Sequence, residues 1–536
     1  MENSFLSLIY PTEESLQKHA SLSYLPNITE TVCEEIGLSR VFSLKNSNIR
    51  NFFTCDEDVI RYRQDAIKDM LDIPELGDTL NRALPILLDI TELRRLDNNS
   101  SNTSAESYLY SITEIELYVS CIDTLLAGLS SVRDKIQSKA FSRLAAVIIE
   151  LAESEYYRDL NKKLSELAQR VHEVKSITVG VNLDAQLRPC EAGVISINSE
   201  SFKSGKLLDK IIRMSFKNDS MTCIAPLAPF GKGQSDNRRE ALISAFNTAI
   251  DEVFRTSVRS WRAIVDEYVL TNTDFLLRIL PEIEFITRAG DITRTLIEKK
   301  YPLCVPEIAP MSEKAFSAVS LYNPDVALQI EDDVVDNDFT FDDDGRFYVL
   351  TGPNRGGKSV ITCALGIAQA MMQLGMYVPA KQARISPADA IFTHFPDGAE
   401  TTIDKGRLGE ECARLQEIFS AMTENSLILL DESLSSTGSY EASYIAAEIL
   451  AGFGMCKCRG IFSTHLHELA ASIDSINERS LEAGGIKIDT LVAGIEEGKR
   501  SFKIRRAKPD GKSYARDIAE KYGLSFDEIK KLVSRS

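Results

Sequence analysis

Between about residues 55 and 175 apolar side chains recur at helical spacing. Asp56, Glu57 and Asp58 precede Val59, Ile60, Tyr62, Ile67, Met70 and Leu71, an acidic helix start followed by an apolar stripe. The polar tract 97–104 predicts a loop parting two helical halves, and 108–129 and 140–174 predict long helices beyond it. Helices of that length suit arms or levers better than a compact bundle. The period then changes. Residues 176–183 and 193–198 alternate as strands do, and a loop rich in Pro and Gly at 225–237 precedes another helix, 238 to about 270. From about residue 300 strands and helices alternate between glycine turns, which predicts an α/β domain with a mostly parallel sheet. The expected fold class is therefore multidomain, α and α/β. Residues 1–50 form an N-terminal extension, 51–305 a long-helix region with a small β-containing insert near 176–230, and 306–536 the α/β domain with a C-terminal helical segment.

Composition and charge narrow the function classes. The 536 residues are 44% hydrophobic and 26% charged, the balance of a folded chain. Lys plus Arg is 61 against 79 Asp plus Glu, a net charge of −18. That speaks against an indiscriminate polyanion coat and leaves room for a local basic lining. Two stretches could supply one. Arg255, Arg259 and Arg262 share a helix face, with Trp261 among the apolar residues of the other side. Lys499, Arg500, Lys503, Arg505, Arg506 and Lys508 alternate with Phe502 and Ile504 as on an edge strand. Each is a solvated face or a contact surface for phosphates. The acidic run Glu331, Asp332, Asp333, Asp336, Asp338, Asp342, Asp343 and Asp344 reads as an exposed hairpin flank. Ten scattered cysteines show no zinc or disulfide spacing, and Cys456 and Cys458 fit two reduced thiols beside a buried strand better than a redox pair. No apolar run reaches the roughly 18 to 20 residues of a membrane span, and the N-terminus has no basic leader region. A cytoplasmic protein with no membrane partner is expected.

Chemistry enters at Gly352, Pro353, Asn354, Arg355, Gly356, Gly357, Lys358 and Ser359, which fit G-x-x-x-x-G-K-[ST] between a β-rich run and a helical pattern that begins at Val360. Glycines there let backbone N–H groups wrap phosphates at the positive end of a helix. Lys358 then reaches the β- and γ-phosphates of a nucleotide, and Ser359 ligates Mg²⁺. The apolar run 426–430 ends in Asp431 and Glu432. Unpaired carboxylates beside a core are costly, and a nucleotide site gives them work: Asp431 holds Mg²⁺ and Glu432 is the base for an attacking water. A third strand, 460–464, ends at His465, which points toward the same crevice and can sense the γ-phosphate.

Together these elements resemble the ATPase domain of the MutS family, strongly over about 320–536. Gly352 to Ser359 resemble its G-P-N-x-G-G-K-S, residues 375–380 its G-x-[FY]-V-P-A strand, and Ile391, Phe392 and Thr393 its I-F-T-R. Residues 436–441 are similar to G-T-S-T-Y-D, Ser463, Thr464 and His465 with Glu468 and Leu469 to A-T-H-x-x-E-L, and Lys512, Ser513 and Tyr514 to K-S-Y-G. A fainter likeness covers Asp58 to Met70, at the start of that family's lever and core region. The resemblance implies an ABC-type P-loop NTPase domain, ATP and Mg²⁺ as cofactors, and a homodimer in which residues 435–439 lie at the junction of two ATPase domains. It also implies DNA as partner, duplex or branched, with repair or recombination as the setting; arms that hold a protein are the alternative.

Two departures qualify that expectation. Where the family shows S-T-F-M-x-E-M, this chain has Gly406, Arg407, Leu408, Gly409, Glu410, Glu411 and Cys412, so no Ser or Thr falls at the expected γ-phosphate contact. The first fifty residues hold no Phe-x-Glu wedge, and Phe526, Asp527 and Glu528 fall in the final segment. Binding without mismatch selectivity is expected. The transporter class of ATP-binding subunit wants L-S-G-G-Q, which this chain lacks.

Overall fold

The computed structural model describes residues 5–21, 26–99, 105–172, 176–187, 189–198, 228–229, 274–331, 333–342, 345–353, 355–395, 406–466, 469, 472–496, 499–508 and 528–530. Its backbone divides into two compact units. Met1–Asp72, Gln137–Ala140 and Glu284–Ser536 make the first; Ile73–Ile136 and Phe141–Ile283 make the second.

The first unit opens with α1 (Glu13–Ala20), α2 (Glu30–Glu35), α3 (Leu38–Val41) and α4 (Glu57–Asp72). Side chains of Thr12 and Thr29 cap α1 and α2, and the Asp56 carboxylate accepts the Asp58 and Val59 N–H groups at the start of α4. Arg63 on α4 is wholly buried, and its guanidinium donates to the carbonyls of Ile9, Phe52 and Leu374. It faces the rings of Tyr10 and Phe285 at 5.3 and 5.5 Å. A cation this deep is tolerated because carbonyl oxygens and ring faces replace water around it.

The second unit is helical with a small sheet: α5 (Pro74–Asn99), α6 (Ala105–Val132), α7 (Lys139–Glu153), α8 (Glu155–His172), β1 (Ser176–Leu183), β2 (Pro189–Asn198) and β3 (Ala228–Pro229). The polar tract at 97 does not stop the first helix, which runs on to Asn99. The single helix expected over 140–174 is two, because the Ser154 hydroxyl accepts the Tyr157 N–H and caps a fresh start. At Gly128 a Cβ would meet Thr79 Oγ1 at 2.0 Å, so α5 and α6 approach more closely than any side chain there permits. One expectation is corrected. Thr113–Lys135 is long and apolar enough to cross a membrane, and half of that window is buried inside the structure, as in the core helix of a helical unit. The alternating segments 176–183 and 193–198 lie in strands, and β1 and β2 pair antiparallel.

After α9 (Asp274–Glu298) the first unit continues with β4 (Glu307–Ile308), β5 (Phe316–Leu321), α10 (Pro324–Gln329), β6 (Asn337–Phe341), β7 (Phe347–Thr351), α11 (Lys358–Gln373), β8 (Gln382–Ile385), β9 (Ile391–His394), α12 (Gly406–Ala421), β10 (Leu427–Asp431), α13 (Ser439–Cys456), β11 (Arg459–Ser463), α14 (Ile473–Glu482), β12 (Ile488–Glu496) and β13 (Lys499–Arg506). The larger sheet has the order β13-β12-β7-β11-β10-β9; β12 and β13 pair antiparallel and the other neighbours parallel. Its central strands β7, β10 and β11 are buried at every position, which is why their sequences run apolar without alternation. Asn27 bridges to Ala390 and covers the edge at β9. The segment expected as a strand at 375–380 contributes only one bridge, Val378 to Cys304, with Pro379 unable to donate.

The smaller sheet has the order β4-β8-β5-β6. Arg459, fully buried at the start of β11, joins the two sheets by donating to the carbonyls of Ala315 (2.8 Å), Ser386 (3.3 Å) and Pro387 (3.3 Å). Burial pushes its guanidinium down to about 10. Cys456 and Cys458 are free thiols, the second buried just before β11.

Candidate functional site

Strand register sets the site. Asp431 at the end of β10 is paired with Ser463 at the end of β11, and Ser463 is paired with Leu350 near the end of β7. Three parallel strands therefore deliver the glycine loop, the two carboxylates and His465 to one level at their carboxyl ends. Gly352 has φ +148°, and a Cβ there would meet Ala493 Cβ at 2.6 Å; Gly357, which caps α11, has φ +92°. Side chains are excluded at the first and strained at the second.

Lys358 begins α11 and is 4% exposed. Its ammonium donates to the carbonyls of Gly352 and Pro353, both at 3.3 Å, and lies 3.4 Å from His465 Nδ1. Burial lowers its pKa, opposed by the charges of Glu432 and Asp431. His465 Nε2 lies 2.6 Å from Glu432 Oε1. Lysine only donates, so in this contact Nδ1 accepts and Nε2 faces the carboxylate as donor, the imidazole linking the ammonium to Glu432. Glu432 sits at φ 50°, a region that non-glycine residues rarely occupy, and its N–H donates to the Ser463 carbonyl at 2.8 Å.

Asp431 is 6% exposed, and burial raises its pKa against a hydrogen bond from the Ser359 hydroxyl. Its Oδ1 is buried without a hydrogen-bond partner. A hydroxyl and a buried carboxylate oxygen suit a hard divalent cation, whose remaining ligands come from phosphates and water. Among the described residues no group of three or more His, Cys, Asp or Glu gathers to cage a metal by itself.

Arg355, Gly356, Gly357, Lys358, Ser359, Val360 and Glu432 line a cavity of about 380 Å³. Gly352 and Pro353 are not in its lining, and Asn354 is outside the described residues. The far wall was not found from sequence: Tyr322, Val326, Ile330, Val334, Val335 and Phe502. The signal for it was present as apolar residues interrupting charged runs, Val334 and Val335 among acids and Phe502 among bases. Asn337 joins the two runs, donating to the Phe502 carbonyl at 3.2 Å and accepting the Ile504 N–H at 2.7 Å.

The charges of those runs meet each other. Lys503 pairs with Asp336 at 2.6 Å, Arg506 with Asp342 at 2.9 Å and with Asp489, and Lys508 with Asp474 at 3.2 Å. The hydrogen bond from Lys503 holds the Asp336 carboxyl below its ordinary range. β13 is an edge strand, as its alternation implied, and Lys503 and Arg506 on it are paired with carboxylates. Arg255, Arg259 and Arg262 lie outside the described residues, as do Glu468 and residues 512–514. Arg407 is exposed on the first turn of α12, and Glu411 accepts hydrogen bonds from the Ser436 hydroxyl and the Leu434 N–H, tying α12 to the loop after the carboxylates.

Residues 348–524 match the family model of MutS domain V, and residues 55–286 match that of the MutS2 N-terminal domain. The DNA mismatch repair protein MutS of Prochlorococcus marinus strain MIT 9301 is 35% identical over 181 residues, 33% of this chain and 20% of that protein. That of Fervidobacterium nodosum is 34% identical over 222 residues, 39% of this chain and 26% of that protein. That of Clostridium kluyveri is 29% identical over 260 residues, 47% and 28%. The chain thus spans 20% to 28% of the length of these relatives.

Proposed function

Because the chain belongs to the MutS family, we propose that it is a Mg²⁺-dependent ATPase that uses hydrolysis to switch a dimeric clamp on duplex or branched DNA in the cytoplasm. The observation that carries the reading is the level set of strand ends: Lys358, Ser359 and Glu432 line one cavity, with His465 in contact with Lys358 and Glu432 and Asp431 hydrogen-bonded to Ser359. Lys358 exchanges its two loop carbonyls for phosphate oxygens. Ser359 and Asp431 would hold Mg²⁺, which when bound neutralises charge on the β- and γ-phosphates. Glu432, with 38% of its side chain exposed, takes the proton of the attacking water while His465 fixes its orientation. The apolar wall with Phe502 takes the base of the nucleotide. The decisive experiment is steady-state ATP hydrolysis with Mg²⁺ and with EDTA, alone and with duplex or branched DNA. Turnover that needs Mg²⁺ and rises with DNA is expected; a chain inert under all of these conditions rules the reading out.

Homodimerisation through residues 435–439 is part of the same proposal. Tyr440 and Tyr444, next along the chain, are 81% and 66% exposed, an unusual display for two aromatic side chains one helical turn apart. Sedimentation of the Glu432→Gln variant at micromolar concentration should give a dimer with ATP. A monomer under those conditions removes the clamp.

A second reading, arms that hold a protein, is favoured by the carboxylate pairing of β13 and the net charge of −18. A salt titration of duplex binding separates the two. Contact with Z phosphates gives a slope of about −0.9Z, whereas a flat or absent response assigns the arms to protein. Matched and G·T-mismatched duplexes are expected to bind alike.

A further inference from the structure

We infer that the buried hydroxyls of Thr362 and Ser463 form a positioning pair that sets Glu432 and His465 against Lys358. The inference rests on the ATPase reading and adds two residues that neither line the cavity nor belong to its phosphate loop.

Thr362 lies one turn beyond Lys358 on α11, and Ser463 ends β11; neither is exposed at all. Thr362 Oγ1 donates to the Lys358 carbonyl at 3.0 Å. A hydroxyl has one proton, so that donation fixes the direction of the next bond. Across the 2.7 Å between the two hydroxyls, Ser463 donates and Thr362 accepts. Two O–H bonds therefore run one way, from the end of β11 to the first turn of the phosphate helix.

Ser463 holds both partners of the chemistry on its other side. Its carbonyl accepts the Glu432 N–H at 2.8 Å, a bond that retains Glu432 in its left-handed backbone conformation. Two residues on, His465 contacts Lys358 and Glu432. Any shift of the β11 end relative to α11 moves base and imidazole together against the lysine. The hydroxyl pair ties those two elements side chain to side chain behind the Lys358–His465 contact, and packing around it leaves no exposed surface on either residue. Thr362 and Ser463 are thus positioning residues, acting through Glu432 and His465.

The test is ATP hydrolysis and ATP binding measured side by side on wild type, Thr362→Val, Thr362→Ser and Ser463→Ala. Thr362→Val keeps the shape but removes the acceptor and leaves the Ser463 donor buried and unsatisfied. Its kcat should fall about ten- to a hundredfold, the range of small misplacements of reacting groups, while its Kd for ATP stays within about twofold because no lining residue has changed. Thr362→Ser restores the hydroxyl and should restore kcat. Adding Ser463→Ala to Thr362→Val should cost little more, since one interaction cannot be lost twice.

A merely structural pair would lower Tm and leave kcat at 25 °C at the wild-type value in Thr362→Val; that result overturns the inference. Equal losses of kcat in Thr362→Val and Thr362→Ser do so as well. Should Thr362→Val not fold, Ser463→Ala alone carries the test, with reduced kcat at unchanged Kd expected and unchanged kcat refuting. Failure of the ATPase reading is visible separately, because wild type itself would then show no Mg²⁺-dependent turnover, and the inference falls with it.

Discussion

Glu432→Gln is expected to bind ATP as the wild type does and to hydrolyse it about 10² to 10⁴ times more slowly, the contribution of a well-placed general base. The amide keeps the size of the side chain and can still accept from His465 Nε2 through its carbonyl oxygen. It has no basic lone pair for the proton of the attacking water. Binding is spared because Glu432 closes one side of the cavity while the phosphate cradle is built by residues 352–359. Stopped-flow binding of a fluorescent ATP analogue together with phosphate release measures both halves. Unchanged turnover would reassign the base, and weakened binding with unchanged turnover would make Glu432 a ligand contact.

The parts of this site that were legible in the sequence are those whose physics is local. β7, β10 and β11 are short, wholly buried strands, so each announces itself as an apolar run, and each ends where a polar residue must find a partner. The glycine loop is legible because Gly352 and Gly357 sit at positive φ, where a side chain is strained. The apolar wall was not legible, because it depends on Asn337 meeting Phe502 and Ile504 across 165 and 167 residues of chain. Seen as charge runs, the acidic approach and the basic strand look like two solvated faces; folded, they meet in the pairs Lys503–Asp336 and Arg506–Asp342. Helix ends were misjudged for the same kind of reason. Ser154 breaks a helix through one hydroxyl, whereas Asn98 and Asn99, poor helix formers, are carried into α5. The hydroxyl tie between Thr362 and Ser463 spans 101 residues and leaves no periodic trace at all.

Lys358→Ala should fail one step earlier than Glu432→Gln, at binding. The ammonium is almost wholly buried, held by two backbone carbonyls and by His465, and faces two carboxylates whose charge keeps it protonated against the pull of burial. Its exchange onto phosphate oxygens replaces neutral acceptors by charged ones, and hydrogen bonds to charged groups are each worth about 1.5–3 kcal/mol. One such bond lost weakens ATP binding by roughly 10- to 150-fold. The alanine variant also removes the donor to His465 Nδ1, so His465 is free to take the other tautomer and Glu432 loses a fixed partner. Affinity of the wild type should carry the same signature in its pH profile. A lysine whose pKa is lowered by burial loses its proton at a lower pH than an exposed one, so ATP affinity falls as pH rises, beginning below the ordinary lysine range. Isothermal titration with ATP at several pH values, on wild type and Lys358→Ala, checks both statements. Equal affinity in the two proteins, or a wild-type affinity flat through the alkaline range, would mean that Lys358 does not hold the phosphates.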